Sequence, residues 1–440
     1  RFSMLETIRA FGQEALAAAG ETDLVAARDA ACFTRLAEEH WLGGSVSRRD
    51  GVRTLEAEYP HLRQTLSWLL DAGHVEQAMH LAGRLAEFWL RLGNLTEGKA
   101  WLQRALAADI GPPSVARVNA LVGLNMLLWP HGAYERSRQL LDEAEEAARA
   151  TGDASALAYV RLHQGYVAAS QGDFDVAVAR GEEVLAASAD LAQGLSQNGV
   201  LFLLARTALV RGEYAAASAR YRQLLDNAIA TRDDVSHYNS LSGLATLAER
   251  QGQFSAALGG YVAAAQIAQD WGDGWGVSMS LDAVALALHD AQMPDVATRL
   301  LAASAKVRAR EPTPLHVFVD HEDRYAAALA ALREKLGHAR FTAAWDAGAA
   351  LTGAEAFALA EAQAQNLSAG VATAVETASL TSRELEVLRL IAQGWADKEI
   401  ATELNISPRT VSHHVTALRE KLRASSRSAA AAIAVRERLI

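Results

Sequence analysis

The sequence is poor in cysteine, proline and aromatic residues, and each scarcity excludes a class of protein. Cys32 is the one cysteine among 440 residues, which excludes an internal disulfide framework and favours a reducing cytoplasm. We expect its side chain to be small, apolar and buried, as free cysteines usually are. No run of about 18 apolar residues and no basic-then-apolar signal segment occurs. The sequence therefore predicts a cytoplasmic protein with no membrane partner.

Proline is missing altogether between Pro130 and Pro294, and the other prolines are expected at helix boundaries or turns. Half of the residues are hydrophobic but only 6% are aromatic. Apolar residues recur at helical spacing, as in Leu140, Leu141 and Ala144. A β-rich fold does not explain these features, so we predict an all-α protein.

Negative charge dominates the chain except near its C-terminus. The net charge is −10, yet residues 380–440 hold ten Lys/Arg against seven Asp/Glu, which leaves −13 on the first 379 residues. Five basic residues and one acid, Glu420, lie between Arg409 and Arg427. A basic cluster on an acidic chain indicates one small segment that meets phosphate.

A glycine followed two residues later by an apolar or aromatic residue recurs along the chain. The steps between copies are 39, 40, 40 and 40 residues, and the glycines are Gly93, Gly132, Gly172, Gly212 and Gly252. A small residue follows three positions after each aromatic, and a sixth copy without glycine falls at Gln292. Such a period predicts a helical solenoid in which each glycine ends a helix at positive φ. The pattern resembles tetratricopeptide repeats, whose concave surface would suit an effector or a partner protein.

The stretch GNLTEGKA at residues 93–100 imitates a phosphate-binding P-loop. Its glycine and lysine positions fit, but Ala100 stands where Ser or Thr would ligate Mg²⁺. It follows the helical pattern LAEFWLRL, whereas a P-loop follows a strand. We therefore predict an inter-helix turn without a nucleotide. The neighbouring tryptophans have two interpretations, a ligand platform or core packing, and we favour the core for Trp68, Trp89, Trp101 and Trp129.

The C-terminal residues carry the sharpest helix signals. Thr381 and Glu384 form a capping box that starts a first helix. A short helix over 397–404 and a tight turn follow, and then Ser407 and Pro408 start a third helix as its N-cap and first residue. One stripe of that helix is apolar and expected to be buried: Val411, Val415, Leu418 and Leu422. The opposite face is polar: Arg409, Ser412, His413, Thr416 and Glu420. This is the helix-turn-helix arrangement, sized for the major groove of DNA.

This stretch closely resembles the DNA-binding domain of LuxR-family transcription regulators. The family's motifs appear as LTSRELEVL, KEIATEL and ISPRTVSHH within about 60 residues. The resemblance implies base-facing roles for Ser412, His413 and Thr416. Phosphate contacts are expected at Lys398, Arg409, Thr410, Lys421 and Arg427. The family's final helix, here 428–439, would pair two copies into a homodimer.

Two positions depart from the family pattern. Ser412 stands where the family often has Lys, which shortens the reach toward DNA and removes a charge. Ala396 occupies a usual Ser N-cap, so Asp397 is expected to cap the second helix.

The opposite end, RFSMLETIRAFGQEALAAAGE, resembles the segment that closes the ATPase module of large LuxR-type regulators. We expect a longer parent protein, to which any use of ATP would belong; no cofactor is expected in these 440 residues. The predicted domains are a helical remnant (1–50), tetratricopeptide-like repeats (51–365), a linker (366–379) and a four-helix LuxR-type domain (380–440).

The sequence thus predicts a DNA-binding transcription regulator controlled by its repeats, and not an enzyme. The alternatives are an interaction scaffold whose C-terminal domain only dimerises, and an ATP-hydrolysing switch that would need an upstream module. Acidic and histidine side chains cluster near residue 320, where a solvated loop is favoured over a metal site: His316, Asp320, His321, Glu322 and Asp323. The adjacent His413 and His414 cannot share a metal, because neighbouring helical residues point about 100° apart.

Overall fold

The structure is a computed structural model that describes residues 6–40, 49–188, 197–271, 273–310, 321–377, 380–422 and 424–436. These residues form helices, turns and short connections without any strand, which confirms the predicted all-α class. Within the same ranges, no helix has both the length and the apolar character needed to cross a bilayer.

The helices follow one another in four groups. The first group is α1 (Glu6–Ala19), α2 (Thr22–Glu39) and α3 (Arg49–Asp71). The second group is α4 (Val75–Arg91), α5 (Leu95–Ala108), α6 (Val115–Leu128), α7 (Tyr134–Thr151), α8 (Ala154–Gln171), α9 (Phe174–Ser188), α10 (Gln197–Val210), α11 (Tyr214–Thr231), α12 (Asp234–Arg250), α13 (Phe254–Trp271), α14 (Gly274–Asp290) and α15 (Pro294–Arg310). The third group is α16 (His321–Ala350), kinked at Gly337, and α17 (Gly353–Thr377). The last is α18 (Ser382–Ala392), α19 (Asp397–Glu403), α20 (Pro408–Lys421) and α21 (Arg427–Arg436).

The 40-residue repeat is a helix pair, and its glycines lie where the sequence predicts a turn. All five have φ between 72° and 86°, the left-handed conformation that ends a helix, and Gln292 takes φ 65° in the sixth copy. The small residue in the following helix is fully buried at Ser137, Ala177, Ala217 and Ala257. A side chain without bulk at that position lets the two helices of a pair approach closely, which confirms the predicted repeat geometry.

Alternate helices form an inner and an outer layer of the solenoid. The helices α4, α6, α8, α10 and α12 contact one another in succession, so they are the inner layer. Most residues of α12 are only half-buried, whereas α6 buries every residue from Val118 to Leu127. A helix enclosed in this way is a core element.

GNLTEGKA is the turn between α4 and α5 and the start of α5. Gly93 has φ 72°, and Gly98 lies inside the helix, where a β-carbon would come within 2.7 Å of the Trp89 ring. Trp89 is itself fully buried, with Nε1 donating to the Tyr59 hydroxyl at 2.7 Å. The second glycine of the P-loop pattern is thus a packing residue. The prediction of an inter-helix turn is confirmed.

Four expectations need correction or limits. Cys32 is exposed on α2, because it lies on the helix face turned away from α3 and α4. Pro60 lies inside α3 and not at a boundary. The expected linker is helical up to Thr377, where nothing in its alanine-rich sequence breaks the helix. Of the tryptophans, Trp89 is fully buried, whereas Trp68, Trp101 and Trp129 are half-buried against the core.

Candidate nucleic-acid interface

The C-terminal helices share a hydrophobic core of their own. It is built from one apolar side of each helix: Val387, Leu388, Ile391, Ile400, Val411, Leu418, Leu422, Ala430, Ile433 and Ala434. No residue of the repeats belongs to this core among those described. Residues 380–436 therefore have what an independently folded unit needs.

The local signals read from the sequence set the helix starts of this domain. Thr381 and Glu384 form the predicted capping box, and the Ser407 hydroxyl accepts the Thr410 amide at 3.1 Å with Pro408 in the first turn. Asn405 turns the chain at φ 52° between α19 and α20. Asp397 was expected to cap α19, but the Ala396 amide instead donates to the Glu399 carboxylate at 2.7 Å. Only the helix-to-N-cap half of a capping box can form there, because alanine has no acceptor.

The helix α20 separates a buried stripe from an exposed polar face. Val411, Leu418 and Leu422 are fully buried, whereas Val415 is half-buried and so less enclosed than expected. Ser412, His413 and Thr416 are all exposed on the other side. The Thr416 hydroxyl donates to the Ser412 carbonyl at 3.0 Å, so this hydroxyl must turn away from its own helix to contact anything else. The structure brings the three predicted base-facing residues onto one accessible surface.

Three of the predicted phosphate-contacting residues lie at the starts of α19 and α20. Lys398, Arg409 and Thr410 are exposed in the first turns of these helices. The hydroxyls of Thr410 and Ser407 lie 2.8 Å apart. Helix N-termini carry partial positive charge, so both the backbone and the two cations favour an anion at this edge.

The other two predicted phosphate contacts, Lys421 and Arg427, have partners inside the domain. Lys421 Nζ lies 2.7 Å from Glu384 Oε2, with the Lys side chain 35% exposed and that of Glu384 only 7%. Arg427 forms an ion pair with Asp397 and donates to the Trp395 carbonyl. Lys421 thus ties the end of α20 to the start of α18, and Arg427 ties α21 to the start of α19.

Glu384 gathers the hydrogen bonds that hold α18 against α20. Its Oε2 accepts the Thr381 amide at 2.7 Å as well as the Lys421 ammonium. Burial on its own would raise the pKa of this carboxyl, but the Lys421 and Thr381 hydrogen bonds lower the pKa below its ordinary value. The carboxylate is therefore a charged structural element of the domain.

Two basic residues with roles in this domain were missed from the sequence. Arg383 donates from α18 to the Leu404 carbonyl in the α19–α20 turn. Arg419 is exposed seven residues after Ser412, which places it on the same face of α20, and its guanidinium donates to the Ser425 carbonyl at 2.8 Å. Helical spacing alone could have found Arg419; the Arg383 contact depends on how the helices pack.

Of the five residues of the predicted solvated loop near residue 320, two lie outside the described residues, since His316 and Asp320 lie in 311–320, and the other three are in a helix and not in a loop. His321, Glu322 and Asp323 open α16. Within the described ranges, no group of three or more His, Cys, Asp or Glu side chains is arranged to hold a metal ion.

The comparisons with known proteins converge on the C-terminal helices. Residues 378–434 match the family model described as bacterial regulatory proteins, luxR family. These residues form a LuxR-family helix-turn-helix domain. The LuxR-type domain is 50% identical over 62 residues to the transcriptional regulatory protein LiaR of Bacillus subtilis, which covers 14% of this chain and 29% of LiaR.

The resemblance extends more weakly over the whole chain. The putative HTH-type transcriptional regulator Rv0890c of Mycobacterium tuberculosis is 24% identical over an alignment of 585 residues, which takes in 97% of this chain. This chain spans 66% of the length of that relative. A solved structure from Pyrococcus horikoshii, a signal transduction ATPase with a tetratricopeptide repeat sensor, matches 68% of this chain and 48% of its own at 14% identity, with a TM-score of 0.43. The family match of residues 378–434 and the alignments with LiaR and Rv0890c show that the chain is homologous to LuxR-family regulators.

Proposed function

We propose that this chain is a sequence-specific DNA-binding transcription regulator and that its LuxR-type domain binds duplex DNA. The observation that carries the proposal is the exposed polar face of α20 opposite a fully buried stripe. At 14 residues this helix is about 21 Å long, and a major groove about 12 Å wide accepts a helix lying along it. Relatives named as transcriptional regulators support the same function.

The contacts divide by position on the domain. Ser412, His413 and Thr416 are assigned to base edges, since they lie on the exposed face of α20. Lys398, Arg409 and Thr410 are assigned to phosphates at the helix starts, and Arg419 joins them further along α20.

Lys421 and Arg427 have a double role in this proposal. Each fixes one helix of the domain through an ion pair. A phosphate contact at either residue would compete with the carboxylate it already holds. We therefore expect their variants to change stability as well as DNA affinity.

The DNA-bound form is proposed to be a homodimer that pairs through α21. The described part of this helix ends at Arg436, and residues 437–439 of the expected 428–439 helix lie outside the described residues. Paired helix-turn-helix domains would read two half-sites. Sedimentation of the chain with and without a duplex carrying a selected site tests this stoichiometry.

The repeats are proposed to sense an effector or a partner protein and to restrain the LuxR-type domain. Ser425, between α20 and α21, donates from its hydroxyl to the Gly252 carbonyl at 3.3 Å. A methyl group at Gly252 would collide with that hydroxyl, whereas at the equivalent Gly132, Gly172 and Gly212 no atom lies within 4 Å. The repeat turn at Gly252 is therefore the one of these four that carries a contact from the DNA-binding domain. The charge of −13 on residues 1–379 beside +3 on residues 380–440 favours such docking.

DNA binding is tested by titrating residues 380–440 and the full chain against salt, beside a Lys398→Ala, Arg409→Ala double variant. We expect affinity to fall steeply with salt and the slope of log affinity against log salt to shrink by about 2 in the double variant. A Glu403→Ala variant, also exposed on α19, is the matched control. Negligible, salt-independent binding would contradict the proposal and leave an interaction scaffold.

Restraint by docking is tested with Gly252→Ala against Gly212→Ala in the full chain. Both glycines have positive φ, 73° and 77°, so both variants carry the same backbone strain. Only Gly252→Ala should also displace Ser425 and raise the DNA affinity of the full chain toward that of residues 380–440. Equal affinities for the two variants would refute docking at this turn without affecting the DNA-binding proposal.

A further inference from the structure

Helices from the first and the sixth repeat meet across the solenoid. Arg91 at the end of α4, in the first repeat, lies beside Asp273 at the start of α14, 182 residues further along the chain. The outer helix α13 also contacts α3, the helix that precedes α4. Contacts in a solenoid ordinarily join only neighbouring repeats. Here the first and the sixth repeats touch, so the solenoid curves far enough to close on itself.

The junction is a buried cluster of three charges. Arg91 Nη1 lies 3.3 Å from Asp273 Oδ2, and Arg91 Nη2 lies 3.1 Å from Glu87 Oε1 on the same helix. The side chains of Arg91, Glu87 and Asp273 are 11%, 12% and 7% exposed. Charges removed from water in this way need close partners, because an isolated buried charge is strongly destabilising. The pairing therefore holds only while α4 and α14 remain together.

Asp273 is fixed in place by a second role. Its Oδ1 accepts the Gly276 amide at 2.8 Å, so it is the N-cap of α14. One carboxylate thus joins the start of α14 in the sixth repeat to Arg91 of the first repeat. Burial raises the pKa of Glu87, and Arg91 opposes this shift, as expected of a carboxylate that depends on one cation.

An aromatic cluster lies on the inner face behind this junction. The His163 ring packs edge-on against Tyr159 at 4.8 Å between centroids and against Tyr166 at 5.7 Å, and Trp129 stacks on Tyr166 at 6.5 Å. Burial, followed by the nearby Glu87 charge, raises the pKa of the Tyr159 and Tyr166 hydroxyls, which places this cluster beside the charged junction. His163 Nδ1 is buried and has no hydrogen-bond partner among the described residues. The aromatic cluster thus holds a buried polar atom without a hydrogen-bond partner among the described residues.

We propose that Glu87, Arg91 and Asp273 form a latch that holds the solenoid closed, and that opening the latch separates the first repeat from the sixth and exposes the aromatic cluster. The latch deepens the proposed sensing role, on which its link to DNA binding rests. A closed and an open form would give the repeats two states that a ligand or partner can select. A ligand that binds only the open form must supply the free energy that separates the two forms.

The test compares two N-cap variants that differ only in the latch. Asp273→Asn keeps a side-chain acceptor for the cap but removes the charge that Arg91 needs. Asp153→Asn is the matched control, because Asp153 caps α8 by the same bond to Ala156 at 2.9 Å and forms no ion pair with Arg91. Arg91→Met is a second latch variant, and far-UV circular dichroism checks that every variant remains helical.

The distance across the junction is the readout. Cys32 on α2 is exposed and takes one spin label, and Gln269→Cys, at an exposed position on α13, takes the other. Double electron–electron resonance should show a longer and broader distribution of the distance between the two labels in Asp273→Asn than in the parent chain. The distribution in Asp153→Asn should be unchanged. An Asp273→Asn distribution that coincides with the control would overturn the latch.

DNA affinity of the same chains separates the latch from the proposed function. A longer distance with a change in full-chain DNA affinity supports both. A longer distance with unchanged DNA affinity supports the latch and contradicts control of the LuxR-type domain by the repeats. An unchanged distance contradicts the latch, whatever the DNA affinity of the variants.

Discussion

The helix α6 of the inner layer and the helix α20 of the LuxR-type domain differ in how many of their sides are buried. The inner helix α6 is mostly apolar and is enclosed by its neighbours, with Asn119 and Asn125 among its buried residues. The helix α20 has one buried stripe and leaves Ser412, His413, Thr416 and Arg419 in solvent. Enclosure on all sides stabilises a solenoid but hides its surface, whereas one-sided burial presents a face to a partner. This difference explains why a candidate binding site can be identified on the C-terminal helices, whereas only the fold can be identified for the repeats.

The largest effect is expected from substitutions on the buried face of α20, compared with substitutions on its exposed face. Leu418→Ala removes a fully buried side chain and should destabilise the LuxR-type domain by about 2–5 kcal/mol. Thr416→Ala, on the exposed face, should change stability by less than about 0.5 kcal/mol and weaken binding to a selected duplex. Urea unfolding of residues 380–440, followed by the fluorescence of Trp395, measures both. Equal stability losses would contradict the division of the helix into two faces.

The next effect concerns Gly98, the second glycine of the P-loop-like stretch at residues 93–100. Gly98→Ala places a methyl group against the Trp89 ring, which is fully buried and hydrogen-bonded to Tyr59. We expect a loss of about 1–3 kcal/mol from overpacking. Thermal unfolding of the full chain tests this, with Ala100→Gly as a control at an exposed position of the same helix. A loss in Gly98→Ala no larger than in this control would show that the first repeat accommodates the methyl group.

A smaller effect is the dependence of domain stability on pH. The pKa of Glu384 is lowered in the folded domain, so its carboxylate stabilises the fold above the unfolded-state pKa of about 4.3. This stabilisation is lost as the pH falls through the lower, folded-state pKa. The free energy of unfolding of residues 380–440 should therefore fall between neutral and strongly acidic pH. In Glu384→Gln this free energy should depend less on pH. Glu386→Gln, whose carboxylate is exposed and pairs with Arg383, is the control; matching pH curves for Glu384→Gln and the parent would contradict the assignment.

The last prediction is that Ala100→Ser has no effect on nucleotide binding. Ala100→Ser completes the P-loop motif in the sequence without changing the helix that holds it. Because residues 93–100 form a helix turn and not a strand–loop–helix, no nucleotide binding should appear. Calorimetric titration with ATP and Mg²⁺ checks this, and binding in the variant would overturn the turn assignment.

The sequence predicted features that depend on neighbouring residues, but it did not predict features that depend on how helices pack. Local signals gave the Ser407 cap, the Thr381–Glu384 box and the positive φ of the repeat glycines, because each acts over a few neighbouring residues. The exposed side of Cys32 and the helix that runs to Thr377 were not foreseen. Burial depends on which face of a helix meets a neighbour, and an alanine-rich stretch carries no mark that separates a linker from a helix.

Within the candidate site, spacing predicted faces but not partners. Helical periodicity placed Ser412, His413 and Thr416 on one accessible surface. It could not assign Lys421 to Glu384 or Arg427 to Asp397, since these residues are 37 and 30 positions apart. A charge near a DNA-facing helix has the same appearance in sequence whether it contacts phosphate or holds the domain together.

The sequence by itself determined the helical class, the 40-residue repeat and the LuxR-type domain, because periodicity, caps and turns are properties of adjacent residues. The tertiary structure decided that Arg91 reaches Asp273, that Ser425 reaches Gly252 and that Trp89 fills the space beside Gly98. Each of these contacts depends on the curvature accumulated over several repeats or on the packing of one helix against another. Small rotations between neighbouring helices set that curvature, and they arise from the summed packing of many side chains that no short motif encodes.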